Sequence, residues 1–199
     1  MAEVDVAYIV KYPKPGHVKT RLAADIGDEA AAAWYRNAAY DTFTLLRDHP
    51  ACDVTVTYDP PEQAAAVREW LPDAPHYIAQ APGDLGDRLR AICDTLWEKN
   101  QRPILLVGGD CPGIDTAYLA QAIAALKARS HVIGPATDGG YVLLGLCGPT
   151  PEAFTDIAWS TEHVLSQTIE RLEKRGESPH LLAPRTDVDT LSDLQKYEK

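Results

Sequence analysis

The sequence predicts an α/β protein of three layers, with helices on both faces of one mainly parallel, twisted sheet. Three observations carry this. Short apolar runs rich in β-branched residues alternate with longer helical patterns along the whole chain, the signature of successive βαβ units. The polar and glycine-containing motifs follow the carboxyl ends of those runs, where such sheets bind ligands. The 199 residues carry no repeat, low-complexity tract or linker, so one domain over 1–199 with one full-sized core is expected.

In chain order, strands are predicted at Val4–Val10, Val54–Tyr58, Tyr77–Ala79, Ile104–Val107, His131–Pro135 and Tyr141–Leu146, with a weaker one at Leu181–Ala183. A helical pattern begins near Thr20. Longer helices are predicted at Glu29–Arg47, Glu62–Trp70, Leu85–Lys99, Thr116–Arg129 and Thr161–Arg175. Asp28, Asp115 and Ser160 stand where N-caps belong, and Gly176 lies just past a helix end.

The chain is acidic, with 29 Asp and Glu against 19 Lys and Arg and a formal charge of -10. That balance argues against nucleic acid as a partner. No run is long enough for a membrane span, and the first ten residues lack a leader pattern, so a cytoplasmic location is expected. The four cysteines are scattered without a C-x-x-C pair, which suggests neither a disulfide framework nor a zinc site.

Against this background Lys11-Tyr-Pro-Lys-Pro-Gly-His-Val-Lys-Thr-Arg21 stands out. Lys11, Lys14, Lys19 and Arg21 fall within eleven residues, and no acid lies between Asp5 and Asp25. A basic loop with Gly16 at a strand-to-helix junction suits a phosphate, held by cationic side chains and by backbone N–H groups around Thr20. The same spacing also fits a solvated basic loop, and it matches neither the Walker A nor the dinucleotide glycine pattern.

Val107-Gly-Gly-Asp-Cys-Pro112 follows the most apolar strand. Gly109 permits close backbone approach, and Asp110 is placed to hold Mg²⁺ or Mn²⁺ against a diphosphate, or else to cap the next turn. Cys111 reads as a small buried thiol, since no His is placed by sequence to activate it. Asp187-Val-Asp-Thr-Leu-Ser-Asp193 supplies three carboxylates in seven residues. Alternation puts Asp187 and Asp189 on one side of an extended segment, as half of a metal site, while Thr190 and Asp193 resemble a capping box. Thr137-Asp-Gly-Gly-Tyr141 is a hairpin by composition, or a loop in which Asp138, Gly139 and Gly140 contact a sugar or acceptor. Gly83-Asp-Leu-Gly-Asp-Arg-Leu89 reads as a capped loop. Glu162 and His163 read as ordinary first-turn residues, with a general base as the other reading.

These motifs, with Trp159-Ser-Thr161, occur in an order that resembles the bacterial and archaeal glycosyltransferase-A-like proteins of the nucleotide-diphospho-sugar transferase superfamily. The resemblance covers nearly the whole chain. It extends more distantly to the guanylyltransferases of deazaflavin and molybdopterin cofactors. It implies a Rossmann-like sheet in which Lys11, Lys19 and Arg21 meet phosphates and Asp110, Asp187 and Asp189 meet Mg²⁺ or Mn²⁺. Lys19, Arg21 and Asp138 are then the catalytic candidates, and Lys11, Lys14, Gly16, Thr20 and Gly109 the further nucleotide contacts. The implied partners are a nucleoside diphosphate sugar or a nucleoside triphosphate, and a small-molecule acceptor. Where many such glycosyltransferases carry Asp-x-Asp, Pro112 occupies the third position, which is closer to nucleotidyltransferases. Three functions follow: glycosyl transfer, nucleotidyl transfer releasing pyrophosphate, and nucleotide binding without turnover.

Overall fold

A computed structural model describes residues 2–197. Seven strands form a single sheet: β1 (Val4–Lys11), β2 (Cys52–Asp59), β3 (His76–Ala79), β4 (Ile104–Gly108), β5 (Val132–Pro135), β6 (Tyr141–Leu146) and β7 (His180–Leu181), in the order β3-β2-β1-β4-β6-β5-β7. All neighbours are parallel except β6, which runs antiparallel to both β4 and β5. The reversal arises because β5 and β6 are joined by the Thr137–Gly140 turn, too short for the crossover that a parallel pair needs.

The helices are α1 (Thr20–Ile26), α2 (Asp28–Asp48), α3 (Ala64–Trp70), α4 (Leu85–Asn100), α5 (Thr116–Lys127), α6 (Val164–Lys174) and α7 (Leu191–Tyr197). Strand alternation divides the core between the two faces. Val4, Val6, Tyr8 and Val10 of β1 pack with α2, α3 and α5, and the Tyr8 hydroxyl donates to the Ala39 carbonyl at 2.7 Å. Ala7 and Ile9 face α4 and α6 through Leu89, Ile92, Leu96 and Leu172. The three-layer expectation holds. At the opposite end of β1, Asp5 is 1% exposed, paired with the Arg102 guanidinium and accepting a hydrogen bond from the Asn100 amide.

Several local expectations are corrected. The pattern from Thr20 and the helix at Glu29–Arg47 form as α1 and α2, separated by Gly27 (φ 89°), but Asp28 begins α2 rather than capping it. Pro61–Gln63 is a 3₁₀ turn ahead of α3. Ser160 does not cap α6: it lies in the left-handed region (φ 62°), and the helix starts at Val164 after His163. Asp115 does cap α5, accepting from Tyr118 N–H at 2.8 Å, and Gly176 (φ 80°) follows α6. The Thr190–Asp193 capping box forms and opens α7, a helix beyond those predicted.

Candidate functional site

The strand order reverses at β1: chain progression runs outward through β2 and β3 on one side, then resumes with β4 on the other. The loops after β1 and β4 therefore diverge, leaving a crevice at their carboxyl ends. A cleft of about 760 Å³ opens there. Of the predicted residues, Lys11, Arg21, Gly109, Asp110, Asp138, Gly140, Asp187 and Asp189 line it. An adjoining cavity of about 330 Å³ shares Lys11, Arg21, Asp110 and Asp189 and adds Lys19 and Thr20. Lys14 and Gly16 are exposed and line neither space, and Gly139 sits within the turn behind the wall.

Two tethers hold Asp187 and Asp189 at this crevice. Beyond β7 the chain runs on beside the end of β5, with Arg185 N–H donating to the Pro135 carbonyl and Thr137 N–H donating to that of Arg185, both at 2.9 Å. Val188, 1% exposed, then inserts among Leu22, Ala23, Ala31 and Leu194 of α1, α2 and α7. With Val188 turned inward, extended geometry turns Asp187 and Asp189 the other way, as alternation predicts.

The Lys19 side chain, 5% exposed, binds both acidic segments: its ammonium lies 2.8 Å from Asp189 Oδ1 and 3.3 Å from Asp110 Oδ2. Burial alone would lower the Lys19 pKa, but the Asp110 and Asp189 carboxylates outweigh it and hold the pKa above the ordinary value. Lys19 itself adopts φ 47° and ψ 45°, a left-handed conformation uncommon for a side-chain-bearing residue. Arg21, 72% exposed, takes the other oxygen of Asp189. Asp189 therefore has both oxygens engaged by cations.

Asp187 is different. Its Oδ1 is buried without a hydrogen-bond partner. Burial, and next the charge of Asp110, pushes its carboxyl up to about 7, with Lys19 opposing and Asp138 and Asp189 adding to the rise. The expected cage of three carboxylates is thus reduced to a crowded pair, Asp110 and Asp187, with Asp189 serving to anchor Lys19 and Arg21. Among the described residues no group of three or more His, Cys, Asp or Glu side chains is arranged to hold a metal ion.

Gly109, besides lining the cleft, is tightly packed. Its N–H donates to the Ile9 carbonyl at 2.9 Å, and an added Cβ would lie 2.8 Å from Val10 Cγ1. Cys111 is buried, and burial, with Asp187 next, pushes its thiol up to about 12, consistent with an unreactive core cysteine.

Sequence reasoning missed the far wall. Gln80 donates to the carbonyls of Val10 and Thr57 at 3.1 and 3.2 Å, and Arg88 lies 3.6 Å from Asp59. Gln80, Arg88 and Asp59 line the cleft, as do Trp159, Ser160, Thr161 and Glu162. The Gly83–Leu89 and Trp159–Thr161 motifs were the available signals, but both also satisfy local capping patterns. A smaller, more apolar cavity of about 160 Å³ continues from Ile9, Gln80 and Leu89 toward Thr57, Ile78 and Thr95. Among the described residues, no helix is long and apolar enough to cross a membrane.

Comparison with curated proteins returned no match. A solved structure described as a "putative nucleotide-diphospho-sugar transferase" from Desulfovibrio desulfuricans G20 is 30% identical, with a TM-score of 0.93 over 99% of this chain and 87% of that one. A 4-diphosphocytidyl-2C-methyl-D-erythritol synthase superposes with a TM-score of 0.65 at 13% identity, covering 99% of this chain and 98% of that one. Rv0371c of Mycobacterium tuberculosis H37Rv, in a complex with manganese, gives 0.57 at 16% over 98% and 97%. These last two show the shared fold. The family model described as "Uncharacterized protein conserved in bacteria (DUF2064)" matches residues 42–161, more than half of the chain. The chain therefore belongs to the DUF2064 family, built on the fold of the nucleotide-diphospho-sugar transferases.

Proposed function

We propose that this protein is a divalent-metal-dependent transferase that takes a nucleoside diphosphate sugar and passes the sugar to a small-molecule acceptor. The observation that supports this reading most is the pairing of opposite charges in one cleft: Lys11, Lys19 and Arg21 stand beside the crowded carboxylates of Asp110 and Asp187. The donor set fits a hard cation, because the buried Oδ1 of Asp187 lacks a partner and Mg²⁺ is commonly held by one or two carboxylates plus substrate phosphates. A bound Mg²⁺ or Mn²⁺ at Asp110 and Asp187 would neutralise the diphosphate and stabilise it as a leaving group.

The chain's own residues do the rest. Lys11 and Arg21 take the outer phosphate oxygens, and Lys19, already charged and buried, faces the diphosphate without further reorganisation. Gly140 and Asp138 position the sugar. An acceptor hydroxyl oxygen forms a bond to the anomeric carbon as that carbon's bond to the diphosphate oxygen breaks. The nucleoside diphosphate leaves with the electron pair, and the hydroxyl proton passes to the Asp138 carboxylate or to water.

A second reading is nucleotidyl transfer, favoured by the single carboxylate of Asp110 before Pro112. Lys19 and Arg21 would then stabilise the α-phosphoryl transition state, and pyrophosphate would leave. A thermal-shift screen of nucleotides and nucleotide sugars with and without Mn²⁺, followed by product identification, tests both. Free nucleoside diphosphate supports glycosyl transfer, pyrophosphate supports the second reading, and binding without consumption supports a module that does not turn over.

A further inference from the structure

The cleft and its adjoining cavity share five lining residues: Lys11, Arg21, Tyr35, Asp110 and Asp189. Four are charged, and of these Arg21, Asp110 and Asp189 are already engaged in ion pairs. Tyr35 is the uncharged member and comes from α2. On that helix it shares the buried face with Ala31, Ala38 and Thr42, the spacing of an ordinary core residue. Its ring rests against Trp70, with centroids 6.1 Å apart, and the residue is only 4% exposed.

The hydroxyl is placed where the two loops of the crevice part. It accepts the Lys11 N–H at 3.1 Å, and a Cβ added to Gly109 would lie 3.2 Å from it. The oxygen therefore sits between the chain leaving β1 and the chain leaving β4. Accepting one N–H uses the oxygen but not its proton. Two other buried phenols give theirs to the main chain: Tyr8 to the Ala39 carbonyl at 2.7 Å, and Tyr118 to that of Ala183 at 3.0 Å. Among the described residues the Tyr35 proton meets no acceptor. A buried hydroxyl that donates to nothing costs free energy, and the side left open to it is the cleft. Burial first, and the Asp110 charge next, hold the phenol above its ordinary pKa. It stays a donor and does not serve as a base.

We infer that the Tyr35 hydroxyl is a ligand-binding group of this cleft and donates its proton to a phosphate oxygen beside Lys11 and Arg21. The inference rests on the transferase reading above and adds to that site a residue outside its motifs. The acceptor is anionic because Lys11 and Arg21 line the same two spaces, and an O–H···O⁻ bond is stronger than a neutral one. A phenol also suits a position close to acidic side chains. It supplies a donor without a charge, so no carboxylate captures it in an ion pair as Asp189 captures Lys19 and Arg21. The Trp70 contact and the Lys11 N–H fix the ring before any ligand arrives, so little ordering remains to be done on binding.

The test uses the intact protein with inorganic pyrophosphate as the probe, by calorimetry with and without Mn²⁺. Tyr35→Phe removes only the hydroxyl and should weaken pyrophosphate binding by about tenfold in both conditions. The same factor should persist in a Lys11→Ala background. A loss that vanishes in that background would mean that Tyr35 acts only by placing Lys11. A loss confined to Mn²⁺ would mean that it acts through Asp110. Either result, or an unchanged affinity, overturns the inference and leaves the transferase reading standing. A second measurement does not depend on the variant's folding. With 3-fluorotyrosine incorporated at position 35 alone, the single fluorine resonance should shift on adding pyrophosphate but not on adding sodium chloride of equal ionic strength. A resonance that ignores pyrophosphate overturns the inference. Wild-type protein that binds neither pyrophosphate nor a nucleoside diphosphate overturns both the inference and the transferase reading.

Discussion

Replacing Asp187 by Asn should stabilise the metal-free protein at and above neutral pH. Burial and the Asp110 charge raise this carboxyl from 3.8 to about 7 in the folded state, whereas the unfolded chain releases the proton near the ordinary value. Between these limits the folded protein holds more protons than the unfolded one, so its stability falls as pH rises. The loss is at most about 1.4 kcal/mol per pH unit and reaches on the order of 2–4 kcal/mol by pH 8. Asn does not ionise and escapes this loss. At about 2–4 °C per kcal/mol for a domain of this size, the variant should melt roughly 5–15 °C above wild type at pH 8 in chelator. Near pH 4 the two should coincide. Thermal unfolding between pH 4 and 8 reads the effect, and added Mn²⁺ should recover stability in wild type but not in the variant. Parallel pH profiles across the window, or a variant less stable at pH 8, would refute the crowded-carboxylate account.

Lys19→Met should weaken nucleotide binding by on the order of 1–3 kcal/mol, about the worth of one charge-assisted contact, and should also lower the melting temperature, because Asp110 and Asp189 lose their shared counter-ion; calorimetry and unfolding read the two effects separately. Asp110→Asn should abolish Mn²⁺-dependent nucleotide binding with little loss of stability, since its side chain is 49% exposed. Gly139→Ala should cost on the order of 1–3 kcal/mol from its positive φ alone, and more from the clash with Glu162, measured by urea unfolding. Iodoacetamide at pH 8 should leave Cys111 unmodified in the folded protein, which peptide mass mapping would check, because burial pushes its thiol up to about 12.

The sequence by itself determined what short-range physics controls. Alternation of β-branched runs with helical patterns made the layered sheet legible. The side-chain caps at Asp115 and Thr190–Asp193 formed, because each is complete within four residues. The basic loop and Asp110 could be assigned to the site because strands deliver their carboxyl ends to one edge. The alternation of Asp187, Val188 and Asp189 was equally readable, but not its depth. Only the tertiary structure decided that Val188 would be drawn beneath α1 and α7, bringing Asp189 onto an ammonium 170 positions earlier in the chain. Burial, which depends on every neighbour at once, then separated the roles of two aspartates that look alike in sequence. It left Asp187 crowded and unpartnered while Lys19 and Arg21 engaged Asp189. The same long-range packing turned Ser160 from an expected cap into a cleft residue and set Glu162 against Gly139. No local pattern carries that information, because each outcome is fixed by a partner distant in the chain.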